Sequence, residues 1–156
     1  MEQYQEALRR CLAQCRVVRD CEQEKRRALL SRDLSRIDVM LKCQQAEMMK
    51  LSSLEQKRME AQAAAGYGGM TGEQMLAALR AQPEKAQPVY ELLCELREVA
   101  AEISLLNESA QKLAKGSLHM LEQAASRAAA EQSGTYRPGA RARADYPSGT
   151  SFAESI

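Results

Sequence analysis

The sequence predicts an all-α protein: an elongated antiparallel helical bundle or coiled coil of three long helices plus a short one, with a disordered C-terminal tail. Three observations carry this. Ala, Leu, Glu, Gln, Arg, Lys and Met, the residues that lose least on entering a helix, dominate from Met1 to Glu131. Trp is absent and β-branched residues are scarce, which leaves little to build a sheet. Apolar residues recur at steps of three and four over long stretches, the period of one helical face.

The first helix is expected over about 2–30. Tyr4, Leu8, Cys11, Cys15 and Val18 step by 4, 3, 4 and 3, and the stripe resumes at Leu29 after Glu22 and Lys25. Near "SRD" at 31–33 the phase slips. Asp33 is a suitable N-cap, so a tight turn leads into a second helix over about 33–64, with Leu34, Ile37, Leu41, Met48 and Leu51 as its stripe. One long helix with a stutter is the alternative. "AAAGYGGMTG" packs glycine into Gly66, Gly68, Gly69 and Gly72, which makes 65–71 a loop. Thr71 and Gln74 have capping-box spacing and start a short helix, about 72–81, that carries Met75, Leu76 and Leu79.

Pro83 and Pro88 are expected to end that piece, with Pro88 in the first turn of a last helix over about 88–131. There Val89, Leu92, Leu96, Val99, Ile103, Leu106, Ala110, Leu113, Ser117, Met120 and Ala124 keep the 3–4 spacing throughout. At about 1.5 Å per residue such a helix spans roughly 60 Å and needs other helices along its length. Its stripe thins to Ala110, Ser117 and Ala124, and Gly116 weakens it by about 1 kcal/mol relative to Ala. This end should be the less firmly held. Residues 1–131 therefore form the bundle domain. Residues 132–156 carry Pro and Gly without apolar period, and form a flexible tail that orders on binding.

Composition also bears on function. The 22 basic and 21 acidic residues give a net charge of +1 and are interleaved along the helices, which speaks against nucleic acid as a partner. No apolar run approaches the roughly 20 residues of a spanning helix, and the N-terminus lacks an apolar signal core, so stable membrane insertion is not expected. Five cysteines, at 11, 15, 21, 43 and 94, suit a reducing cytoplasm and small-hydrophobe packing. One histidine, His119, and the absence of phosphate-loop, HExxH or GxSxG motifs leave no basis for an enzyme, a cofactor or a metal site.

Binding remains. Tyr136, Tyr146 and Phe152, half of the six aromatic residues, lie on the tail, where side chains of this kind serve as interface anchors. The run Arg137, Arg141 and Arg143 suits an acidic partner better than a nucleic acid. A tail that orders on a partner, together with the loosely held end of the last helix, forms the expected site. A structural coiled-coil adaptor, paired with a second copy along 89–124, is the competing reading.

The segments "EISLLNESAQKLAKGSLHMLEQ … SGTYRPGARA" and "EKRRALLSRDLSRIDVMLKCQQAEMMKLSSLEQKR" resemble FlgN-type flagellar export chaperones over about 4–140. Asn107 matches the first Asn of the family's L-x-x-x-N-x-x-N-x-x-L-L segment, Ala110 stands where a second Asn is usual, and Tyr136 falls on the tail tyrosine with Gly139 near it. The resemblance implies a cytoplasmic chaperone of the flagellar type III secretion system. It would bind the hook-associated proteins FlgK and FlgL, prevent their premature assembly, and deliver them to the export gate protein FlhA. Client binding would fall on Asn107, Leu113, Ser117, Met120, Leu121 and Ala124, with Tyr146 and Phe152 of the tail, and gate docking on Tyr136. Without a client, the open seam would leave room for a homodimer.

Overall fold

A computed structural model describes the backbone of residues 1–135 and the side chains of residues 1–130. All regular elements among the described residues are helices: α1 (Glu2–Ser31), α2 (Leu34–Ala64), α3 (Gly72–Ala78) and α4 (Pro83–Thr135). The chain divides into two units, Met1–Leu118 and His119–Ile156.

Within the first unit, α1 and α2 form an antiparallel hairpin. Its turn is set by local chemistry at the expected place. Arg32 adopts φ 55°, ψ 29°, and the amides of Arg32 and Asp33 donate to the carbonyls of Leu29 and Ala28 at 3.3 and 3.2 Å. This left-handed closure satisfies carbonyls that a helix end otherwise strands. Asp33 then caps α2, its Oδ1 accepting from the Arg36 amide at 3.0 Å.

Cross-links along the hairpin run in opposite directions on the two helices. Gln14 Nε2 donates to Glu47 Oε2 at 2.8 Å, Cys21 meets Cys43, and Arg36 donates to Glu24. The α1 seam does not break at its charged residues. Tyr4, Leu8, Cys11, Leu12, Val18, Glu22, Lys25 and Ala28 are all buried, so the stripe continues through Glu22 and Lys25 and closes on Ala28 rather than on Leu29. Lys25 Nζ lies 2.6 Å from Glu22 Oε2 and donates to Gln44 Oε1 at 2.9 Å, while Gln44 Nε2 donates to Glu22 Oε1. Glu22 Oε2 accepts no well-aligned hydrogen bond; the Lys25 ammonium holds it as a charge contact. One charge pair and one amide thus fill a layer that an apolar side chain would otherwise take.

The sequence stripe on α2 is less covered than its spacing suggests. Gln62 is the buried residue of this helix, whereas Leu34, Leu41 and Met48 are 80%, 50% and 46% exposed. The heptad pattern is present, but no described helix closes over that side of α2.

The main apolar core gathers where α1 begins and α2 ends. Tyr4, Leu8, Met75, Leu79 and Val89 form it, with Ala61, Tyr67, Leu76, Leu92 and Leu96 packed around them. The glycine-rich loop is folded onto this core by Gln62, which donates to the carbonyls of Tyr67 and Met70 at 2.9 and 2.7 Å and accepts from Arg58 Nη1 at 2.6 Å. Gly66 and Gly69 take φ of 88° and 76°, the left-handed region in which a side chain is strained. Thr71 and Gln74 form the full capping box at the start of α3.

α4 begins five residues before the expected start. Pro83 opens it and Pro88 lies inside. The ring at 88 removes one helical hydrogen bond, which leaves the exposed Glu84 to present its carbonyl to water. Ala86 packs on the core and Val89 is fully buried within it, so burial on both sides of Pro88 keeps the helix continuous.

α4 runs parallel to α1. Arg16 Nη2 donates to Glu95 Oε2 at 2.6 Å, Arg19 reaches Glu102 at 3.4 Å, and Arg26 Nε donates to Ser109 Oγ at 2.9 Å. These pairs are surface-exposed or partly so; they report the register more than they stabilise it.

Two substitutions test this account. Lys25→Ala strands the Glu22 carboxylate in the interior and should cost about 3–5 kcal/mol in a urea titration. A cost below about 1 kcal/mol would show that the pair is not buried in solution. Gln62→Leu removes the donor to two loop carbonyls and should cost about 1–3 kcal/mol, with amide exchange in 65–71 accelerated.

Candidate functional site

The candidate site lies along α4, where coverage by the rest of the chain runs out. Val89, Val99 and Ala110 are buried on this helix, and no described α4 residue beyond Ala110 is. Within the first unit, α1 ends near this level. Arg26 pairs with Ser109 at an offset of 83 residues, which puts Ser31, the last residue of α1, level with Ala114. α4 continues to Thr135.

In the first unit, Asn107, Leu113 and Ser117 are half-buried. Arg26 holds Ser109 beside them. Leu105 and Leu118 are 67% and 58% exposed. Neither belongs to the sequence-based site, and both fall off the 3–4 stripe. In the second unit Met120 and Leu121 are 59% and 68% exposed, and Ala124 is also exposed. His119 Nε2 lies 2.9 Å from Gln123 Nε2, an exposed contact one turn apart.

Tyr136, Tyr146 and Phe152, together with the tail from 136, lie outside the described residues. Backbone helix extends to Thr135, past the expected end at Glu131.

A second set of exposed apolar side chains was not anticipated. Leu30 ends α1 at 55% exposure, and Leu34, Val39 and Leu41 start α2 at 80%, 57% and 50%. The sequence places Leu34 and Leu41 correctly on a helical stripe, but spacing alone does not say whether a stripe has a partner.

The chemistry available along this surface is that of an adhesive face. Large aliphatic and thioether side chains alternate with Lys112, Lys115, Glu108 and Glu122. No group of three or more potential metal ligands occurs among the described residues. The perturbed titrations lie elsewhere and arise from burial or from side-chain hydrogen bonds. Burial pushes the Cys11 thiol up to about 11, with the Glu55 carboxylate adding to it. Burial also raises Tyr4, against the opposing pull of Arg58. Tyr90 is raised by its hydrogen bond with Cys94. No helix among the described residues is long and apolar enough to cross a membrane.

No curated protein and no solved structure matches the chain. The family model described as FlgN protein does, over residues 1–144, which takes in α1 to α4 and the exposed end of α4. A chain that folds as a helical hairpin, a capped short helix and a long last helix belongs, by this match, to the FlgN family.

Proposed function

We propose that the exposed end of α4 is the surface by which this flagellar export chaperone holds its clients. The clients are the hook-associated proteins FlgK and FlgL, which the chain keeps unassembled in the cytoplasm and delivers to the export gate protein FlhA. Family membership supports the export-chaperone role. The observation that carries the assignment of the surface is the exposure of Leu118, Met120 and Leu121, on a helix whose earlier residues Val89, Val99 and Ala110 are buried.

The mechanism rests on matching apolar stripes. Subunits of a helical axial assembly join through amphipathic helices, and such a helix aggregates when its stripe is wet. A chaperone helix that also lacks a partner covers it as a helix-in-groove or coiled-coil pair. Leu113, Met120 and Leu121 supply the apolar contacts, and Ser117 and Ala124 permit close approach. Asn107 supplies an amide at the covered edge. Tyr146 and Phe152 of the tail add aromatic anchors, and Tyr136 docks on the gate. Ordering a segment on binding consumes about 2–5 kcal/mol of gross interaction energy, which keeps the complex reversible.

Replacing Leu113, Met120 and Leu121 together with Ala should weaken binding to hook-associated proteins by roughly a hundredfold or more in titration calorimetry. Helix content should be unchanged, because Ala is the best helix former. Undiminished affinity would reject the surface. Tyr136→Ala should leave the client complex intact and weaken its binding to the gate protein. Equal gate affinity for variant and parent would reject that role. The exposed heptad Leu34, Leu41 and Met48 favours pairing with a second copy when no client is present. Light scattering on the client-free chain reads this directly: a monomer at all concentrations speaks against it.

A further inference from the structure

Two of the five cysteines meet across the α1–α2 hairpin. Cys21 Sγ and Cys43 Sγ lie 3.4 Å apart, and both side chains are half-buried. Their neighbours in the chain, Glu22 and Gln44, belong to the interior polar cluster, so the register that seats Gln44 against Glu22 and Lys25 also sets the two thiols in contact. The other cysteines have different surroundings. Cys11 Sγ sits 4.0 Å from Glu55 Oε2, and Cys94 pairs with the Tyr90 hydroxyl.

We propose that Cys21 and Cys43 form a dithiol site that closes to an intrachain disulfide by exchange with a small-molecule disulfide, fastening α2 to α1. One protein thiolate attacks a sulfur of the small disulfide, forming a mixed disulfide and expelling one small thiolate. The other protein thiolate attacks the protein sulfur of that intermediate. The Cys21–Cys43 bond forms and a second small thiolate leaves. The protein thiols together lose two electrons and two protons, and the small disulfide takes up both and departs as two thiols.

Half-burial lets a small reagent reach the sulfurs while the helices keep them paired. Burial and the hydrogen bond with Cys43 push the Cys21 thiol up to about 11, so the exchange is slow at neutral pH and accelerates in alkaline solution. The consequence falls on α2. Its buried residue, Gln62, lies near its C-terminal end, and the half that starts at Leu34 is held by half-buried contacts and the polar cluster. A covalent bond at Cys43 pins that half.

The test uses the full chain, oxidised glutathione in mildly alkaline buffer, alkylation of the remaining thiols, tryptic digestion and mass spectrometry. The expected product joins the peptide Asp20–Lys25 to the peptide Cys43–Lys50, with Cys11, Cys15 and Cys94 alkylated. Cys21→Ser should give no such product and should accumulate glutathione on Cys43. A control in urea should lose the selectivity among the five thiols, which keeps the test decisive if the variant folds poorly. Amide exchange over 34–50 should be slower in the oxidised chain than in the reduced one. Linkage through Cys11, Cys15 or Cys94 instead, or alkylation of Cys21 and Cys43 under these conditions, would overturn the site. Unchanged exchange would overturn the fastening of α2.

Discussion

The constraint on which the rest depends is a mismatch of lengths. α1 has 30 residues and α2 has 31, whereas α4 has 53. A helix cannot bury its own stripe, and α1 gives out level with Ala114 in the register that the Arg26–Ser109 pair reports. Among the described residues beyond that level, Leu118, Met120 and Leu121 are each more than half exposed. On the reading proposed above, their hydrophobic contribution is realised when a client covers them.

Within the hairpin, the register of α1 against α2 is set by polar groups. Apolar knobs of similar size tolerate slippage by a heptad. The Glu22–Lys25–Gln44 cluster does not, since a slip of α2 along α1 would take the Gln44 amide away from both buried charges. At the other end of the hairpin, Gln62 ties the loop carbonyls to the same core that receives α3 and the start of α4. The polar interior costs stability relative to an apolar one and returns a defined alignment of α1 and α2. That alignment also sets Cys21 against Cys43.

What the sequence made legible was what local rules determine. The steps of three and four located every long helix, the Asp33 cap and the Thr71–Gln74 box marked two starts correctly, and the glycine cluster marked the loop. What it concealed depended on tertiary context. Glu22 and Lys25 read as an interruption because a charge is expected outside, and only their mutual placement with Gln44 allows them in. Pro88 read as a helix start, since the burial of Val89 that carries the helix through it is a property of the core. Leu34 and Leu41 read as one helical stripe, and their exposure stayed hidden because spacing reports a face, never its partner. The Cys21–Cys43 contact spans 22 residues and required the hairpin register. On α4, the thinning of the stripe pointed to a less covered end, and no described residue beyond Ala110 is buried; the exposure of Leu105 and Leu118 was not read from the sequence.

Hydrogen exchange along α4 of the isolated chain, read against the same helix with a hook-associated protein bound, tests the uncovered end most directly. The account predicts strong protection from Val89 to Ala110 in both states, and weak protection from Gln111 to Ala130 that rises when the client is added. Protection of 111–130 equal to that of 89–110 in the isolated chain, with no change on adding the client, would contradict it.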